Sequence, residues 1–340
     1  MNLDHSTDSF QTHYILGIGR SGSTLLTTLL NAHSQIKAIP EVPIATFFAY
    51  NYGNIKSENK ALEKFAQEYL EAIQKIRPKH LVDLHAEKLI TGELNYNSYS
   101  EFLKVIFSNF DILEKKGHYP IVVDKNPYYT FHYDALCKLN PNAKFIVLVR
   151  DYRANILSRK KKTLNKSGNI IFNAFLCHLF YKEINSFRSN KNCLLVRYED
   201  LVSNQVETLT SICQFLNIEF EQNLIGSGIK KDISSNVESE KSEKFIKEHF
   251  SELKNPVHAG NTEKWKTELS AEEIEICDAI CSKEAITLGY TPIYSSQKCF
   301  NSLLIRNLPK FLKAYYNVKK ERILYYLPIE MKLKRLIQKL

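Results

Sequence analysis

The residues best suited to chemistry form a glycine-rich run near the start of the chain, Gly17-Ile18-Gly19-Arg20-Ser21-Gly22-Ser23-Thr24. An apolar run beginning at Tyr14 leads into it, and a helical pattern with Leu25, Leu26, Leu29 and Leu30 on one face leads out. A strand, a glycine turn and a helix N-terminus make a cradle for an anion. Glycines let the backbone approach closely, while free N–H groups and the helix dipole face the negative charge. The phosphate-loop pattern Gly-x-x-x-x-Gly-Lys-Ser/Thr is met at Gly17 and Gly22, but Ser23 stands where the lysine belongs. The group that reaches the β- and γ-phosphates of a nucleoside triphosphate is therefore absent. Arg20, inside the loop, offers instead a planar fork suited to phosphate or sulfate oxygens. Taken alone, the segment also fits an ordinary glycine-containing βα turn.

A second anion seat follows the apolar run Phe145–Val149, which ends in Arg150-Asp151-Tyr152-Arg153. Ligands of open α/β sheets bind beyond the carboxyl ends of the strands, and Arg150 has that place. Ser158, two turns into the following helix, can donate a hydroxyl to the same anion. The basic run Arg159 to Lys162 fits a solvated helix face, and so, alone, would the whole helix start. Two separate seats imply a donor with phosphates at two places.

These residues need a scaffold. The chain has 340 residues, with 44% hydrophobic and 24% charged. That supports a sizeable core and excludes whole-chain disorder, collagen and a small disulfide scaffold. Short apolar runs at Tyr14–Ile18, Ile121–Val123, Phe145–Val149 and Leu194–Val196 predict buried strands. Helical patterns lie between them, over 60–76, 98–116, 171–188 and 201–216. The alternation predicts an α/β fold, a parallel sheet with helices on both faces. Ser270 with Glu273 forms a capping box that opens a helix over 271–287. The polar stretch 230–244 is expected to be a mobile loop.

Charge divides the chain at about residue 296. Residues 297–340 hold 11 Lys/Arg and 2 Asp/Glu, whereas residues 1–296 hold 35 of each. The expected organisation is a catalytic domain over 1–296 and a basic, amphipathic, helical C-terminal extension over 297–340. The extension carries Leu304, Leu308, Phe311, Leu312, Tyr315 and Tyr316 at helical spacings among its cations, with Pro328 breaking the pattern. It suits packing on its own domain, a partner, an anionic membrane surface, or guidance of an acidic acceptor. No run of 18 apolar residues exists, and Met1 to Thr12 has no apolar region of the signal-peptide kind. The seven scattered cysteines lack a zinc-site spacing. A reduced, cytoplasmic setting, with the extension reaching a membrane periphery, is the expectation.

With the loop, Arg150 and Ser158 in hand, the chain resembles the sulfotransferase superfamily that uses 3′-phosphoadenosine 5′-phosphosulfate (PAPS). Gly19-Arg20-Ser21-Gly22-Ser23-Thr24-Leu25-Leu26 is similar to the 5′-phosphosulfate loop of its tyrosylprotein and bacterial carbohydrate-type branches. Phe145 through Arg150 to Ser158 is similar to the 3′-phosphate motif. Asp124-Lys125-Asn126-Pro127 and Val196-Arg197-Tyr198-Glu199-Asp200-Leu201 match two further motifs, and the resemblance spans about 14 to 290. It implies a P-loop-NTPase-like sheet, with Arg20, Ser21, Gly22, Ser23 and Thr24 on the 5′-phosphosulfate. It implies Arg150 and Ser158 on the 3′-phosphate, Tyr198 against the donor, and Lys125 beside the bridging oxygen. His258 to Trp265 resembles a closing loop, with Lys264 as its donor-side cation, but the usual basic pair is missing. Lys162 matches a basic residue of the tyrosylprotein branch.

The resemblance also implies a glutamate base after the first helix, and Glu41, between Pro40 and Pro43, fits. His33 is the alternative base. The implied activity is sulfuryl transfer to an acceptor hydroxyl on a carbohydrate or peptidyl tyrosine, without a metal. The acceptor would be framed by segments 44–100, 163–175 and 228–258. The rival enzyme is a P-loop kinase or ATPase, with Asp124 as its Mg²⁺ ligand, and Ser23 counts against it. A non-catalytic nucleotide-binding module is the other rival. A nucleic-acid binder is not expected, since the body is neutral and no such motif is present.

Overall fold

The computed structural model describes residues 10–39, 41–42, 44–55, 59–75, 82–84, 96–108, 110–112, 119–162, 169–225, 259–294 and 297–338. The prolines flanking Glu41, the predicted loop 230–244, the acceptor segment 228–258 and parts of the acceptor segments 44–100 and 163–175 lie outside them.

Seven strands occur among the described residues: β1 (Gln11–Gly17), β2 (Ile36–Ile39), β3 (Val82–Leu84), β4 (Phe110–Ile112), β5 (Ile121–Lys125), β6 (Phe145–Val149) and β7 (Cys193–Arg197). Five of them form one parallel sheet in the order β2-β5-β1-β6-β7. The first half of the chain supplies α1 (Ser23–Asn31), α2 (Ile44–Phe47), α3 (Ala49–Tyr52), α4 (Lys60–Gln74), α5 (Tyr99–Ser108) and α6 (Tyr133–Leu139). A 3₁₀ turn over Pro127–His132 precedes α6. Next come α7 (Tyr152–Lys162), α8 (Ile170–Phe187), α9 (Tyr198–Ser203), α10 (Gln205–Leu216) and α11 (Trp265–Glu268). The chain finishes with α12 (Ala271–Ile286), α13 (Gln297–Arg306), α14 (Leu308–Tyr326) and α15 (Ile329–Ile337).

The strand sequences explain the layers. Side chains alternate across a strand, and these strands are apolar on both faces. Tyr14, Leu16, Phe145 and Val147 enter one core with α8; Ile15, Ile146 and Leu148 enter another with Leu26, Leu29 and Leu30 of α1. Each buried Leu, Ile or Val contributes about 1.5–3 kcal/mol relative to exposure. β1 lies at the centre, between β5 and β6. Its carboxyl end is where the chain's excursions part to the two sides, the place where such sheets bind ligands.

Three predicted boundaries move. The helix expected over 98–116 stops at Ser108, and β4 pairs antiparallel with β3. The pattern over 201–216 is two helices, because Asn204 leaves helical geometry at φ −126° and ψ 55°. The tail pattern breaks at Asn307, ahead of Pro309. A proline has no N–H for the helical ladder but fits a first turn. Residues Ile36–Ile39, not foreseen as a strand, form the sheet edge β2.

The basic C-terminal segment lies on the body. Ala314 and Val318 of α14 are buried, within the core that α8 supplies. Lys332 of α15 is buried and donates to the carbonyls of Phe47 (2.7 Å) and Tyr325 (2.8 Å). That burial pushes its ammonium down to about 8.

Candidate functional site

The loop after β1 is shaped by two glycines and one strained arginine. Gly17 has φ 141°, and an added Cβ would lie 2.2 Å from the Leu148 carbonyl oxygen of the neighbouring strand. Gly22 has φ 89°, and a Cβ there would meet the Tyr198 ring at 2.4 Å. Arg20 adopts φ 75°, which costs a non-glycine residue about 1–3 kcal/mol. Side chains from three other elements hold this shape. The buried Thr130 hydroxyl donates to the Gly17 carbonyl and accepts from the Gly17 N–H, both at 2.9 Å. From α7, Asn155 Nδ2 donates to Gly19 O (3.0 Å) and Ser21 Oγ (3.2 Å), and Arg159 donates to Gly19 O (2.6 Å). Arg150 donates to Arg20 O at 3.2 Å.

The loop therefore opens α1 with an anion-ready end. Gly22 is its N-cap and supplies no side-chain hydrogen bond, and the first turn contains no acidic residue. Helix-start N–H groups without a cap suit an anion. Ser23 is buried at that start, beside Thr24.

Arg150 follows directly on β6, is 9% exposed, and stands over the Tyr198 ring with its guanidinium carbon 4.3 Å from the centroid. Besides Arg20 O it donates to the Asn261 carbonyl at 2.9 Å. Among the described residues no carboxylate pairs with it, and its buried Nε has no partner. A buried cation left without an anion is costly unless a ligand completes it. Glu199, from the Arg-Tyr-Glu-Asp-Leu segment, fixes the backbone here. It accepts from Asp151 N–H (3.0 Å) and the Tyr290 hydroxyl (2.9 Å). Ser158 meets the loop through Arg20, whose Nε donates to its hydroxyl at 3.3 Å. Arg20, Gly22, Arg150, Ser158 and Tyr198 thus converge.

The other half stands at the neighbouring strand end. Ile39 of β2 pairs with Asp124 of β5, so the chain leaves the sheet edge level with Lys125. Glu41 then reaches the buried Lys125 ammonium at 3.0 Å, with the Glu41 side chain 31% exposed. A carboxylate open to solvent beside a buried ammonium can take a proton from a hydroxyl while the cation stabilises charge building nearby.

Two sequence candidates are otherwise engaged. His33 is buried, with Nε2 donating to the Glu219 carbonyl (2.8 Å) and Nδ1 accepting from Gln35 N–H (3.0 Å). Its ring ties down the end of α1. Asp124, the candidate Mg²⁺ ligand of the kinase reading, is fully buried and takes the Tyr129 hydroxyl at 2.6 Å. Burial raises its carboxyl to about 7. Lys264 is exposed, and the contact from its loop to Arg150 comes from Asn261 instead.

Several participants escaped sequence reasoning. Arg159 fitted a wet basic run, yet it binds the loop backbone and Asn155 (2.9 Å). The i, i+4 spacing of Asn155 and Arg159, and the i, i+3 spacing of Asn155 and Ser158, was the available signal. Thr130 had none, because its link to Gly17 spans 113 residues.

Comparison with known proteins agrees with this geometry. Residues 14–222 match the model of the sulfotransferase family. The chain is 26% identical over 290 residues to "Protein-tyrosine sulfotransferase A" of Caenorhabditis elegans, covering 82% of this chain and 67% of that protein. It is 22% identical over 292 residues to "Protein-tyrosine sulfotransferase 1" of Danio rerio, covering 82% and 72%. Among solved structures, the sulfotransferase domain from the curacin biosynthetic pathway superposes with a TM-score of 0.51 at 22% identity, over 83% of this chain and 99% of that one. The chain belongs to the sulfotransferase family. It is a transferase that moves a sulfuryl group.

Proposed function

We propose that the chain moves the sulfuryl group of PAPS to an acceptor hydroxyl, with peptidyl tyrosine favoured over a carbohydrate. The observation that carries the reading is the pair of anion seats joined by the Arg20–Ser158 contact, beside the Glu41–Lys125 pair. The uncapped start of α1 suits the 5′-phosphosulfate, and Arg150, with its unpartnered Nε, suits the 3′-phosphate with Ser158. The tyrosine preference rests on the relatives named as protein-tyrosine sulfotransferases.

In this reading Glu41 takes the acceptor proton as the oxygen attacks sulfur in line. The bond from sulfur to the bridging phosphate oxygen breaks, and Lys125 and Arg20 stabilise the charge left on that oxygen. The products are a sulfate ester and adenosine 3′,5′-bisphosphate, with the proton on Glu41. Thermal stability with adenosine 3′,5′-bisphosphate tests the donor, with ATP plus Mg²⁺ and adenosine 5′-phosphate as controls. A ligand at 100 times its dissociation constant adds about 2.7 kcal/mol, a shift of several degrees. A shift with the bisphosphate alone is expected. A shift with ATP and Mg²⁺ alone would overturn the reading.

A further inference from the structure

Helix α14 has one face on the body and one in solvent, and the solvent face is apolar where it should be polar. Its inner face buries Ala314 and Val318. Its outer face exposes Leu308 (45%), Leu312 (51%), Tyr315 (40%), Tyr316 (58%), Ile323 (54%) and Tyr326 (59%). Successive members lie four, three, one, seven and three residues apart, which at 3.6 residues per turn keeps all six within a stripe about 100° wide on a helix about 28 Å long. The stripe continues onto the body, where exposed Tyr50 packs on Tyr326 with ring centroids 4.9 Å apart. A contiguous apolar patch of this kind marks an interaction site.

The charge around the stripe says which kind. Arg322 is paired with Glu183 at 2.5 Å, and Lys332 is buried on backbone carbonyls. Among the described residues, Lys310, Lys313, Lys319 and Lys320 take part in no ion pair. Lys319 rises beside the stripe, with its ammonium 5.4 Å from the Tyr315 centroid. Long cationic side chains that lay their stems on apolar surface and keep the charge wet suit a lipid–water boundary, as do tyrosines. Residues 297–340 carry the whole excess of +9, and residues 1–296 are balanced. A second copy of the chain would set this face's cations against the same cations. An anionic bilayer presents the opposite charge and an apolar layer beneath it.

We propose that the outer face of α14, with Tyr50, is a docking surface for an anionic lipid bilayer, on which the protein lies without spanning it. The surface is independent of the transfer reaction.

Co-sedimentation of the full chain with vesicles tests it. Phosphatidylcholine vesicles containing phosphatidylglycerol should bind the protein, and vesicles of phosphatidylcholine alone at least about tenfold less. Binding should weaken near 1 M salt, where the screening length is about 3 Å. The variant Leu312→Ser/Tyr316→Ser/Ile323→Ser changes only exposed positions. It should keep the parent's melting temperature and bind the mixed vesicles at least about tenfold more weakly. The variant Lys313→Gln/Lys319→Gln/Lys320→Gln should lose most of the preference for the anionic lipid. No binding, equal binding to both vesicles, or a serine variant that binds like the parent would overturn the proposal. Self-association of the parent that the serine variant abolishes would assign the face to a second copy and overturn it as well.

Discussion

The donor seat and the acid–base pair stand at neighbouring strand ends, yet they are built in opposite ways. The seat is over-determined. Thr130, Asn155, Arg159 and Arg150, from three separate elements, hold its backbone oxygens and N–H groups. In the pair, Glu41 meets Lys125 at 3.0 Å, with the lysine buried and the glutamate partly in solvent. A cradle whose donors are fixed before the ligand arrives loses nothing to reorganisation. In the proposed reading a base must release its partner and turn to an incoming hydroxyl, which a partly exposed carboxylate can do and a buried brace cannot. Binding and turnover should therefore separate by mutation.

The largest separation is expected at Glu41. Glu41→Gln should keep donor binding, read as the thermal shift with adenosine 3′,5′-bisphosphate, while turnover falls by a factor of about 100 or more. Unchanged turnover would remove Glu41 from the chemistry. Arg150→Ala should do the reverse. Its charge-assisted contacts are worth about 1.5–3 kcal/mol, so affinity for the 3′,5′-bisphosphate should drop about 10- to 100-fold. Affinity for adenosine 5′-phosphate should fall by less, since Arg150 touches that seat only through the Arg20 carbonyl. An equal loss for both ligands would mean that Arg150 does not read the 3′-phosphate.

Thr130 tests whether the seat's bracing matters to its ligand. Thr130→Val removes a buried hydroxyl that serves both polar groups of Gly17. An unmet buried polar group costs about 1–3 kcal/mol. Stability should fall by that order and the donor KM should rise, with kcat little changed. Thr130→Ser should restore both. A stability loss with an unaltered KM would confine Thr130 to the fold.

The contrast also explains what the sequence made legible. The donor seat is local: a strand, a glycine turn and a helix start within Tyr14 to Leu30, and a strand end with its helix within Phe145 to Ser158. Apolar runs and glycine spacing announce such units, and the parallel sheet follows from their alternation. The braces were not legible, because Thr130 to Gly17 and Asn155 to Gly19 are contacts made by strand order. Nor was β2, four residues long, although it delivers Glu41 to Lys125. The helical apolar spacing of residues 300–327 predicts a basic amphipathic helix. It could not say that Ala314 and Val318 face the body while Leu312 and Tyr316 face away.

The smallest effect concerns the carboxyl next to Lys125. Asp124 pairs with Tyr14 of β1 across the sheet, takes the Tyr129 hydroxyl from the 3₁₀ turn and is followed in sequence by Lys125. Desolvation raises its carboxyl from 3.8 to about 7. A carboxyl that holds its proton longer in the folded state than in the unfolded one loses stability as pH rises between those two values, and nothing further above the higher one. The buried His13 and His132 work the other way. Burial lowers each to about 4, so they add stability as pH rises from about 4 to the ordinary histidine range. The two trends overlap in the parent, and Asp124→Asn separates them. The amide still accepts the Tyr129 hydroxyl but has no proton to lose. Relative to the parent, the variant's melting temperature should climb between pH 4 and 7 and then level off. A difference that stays flat over that interval would mean Asp124 is ionised throughout, and its unpartnered oxygen would then need a cation close to it.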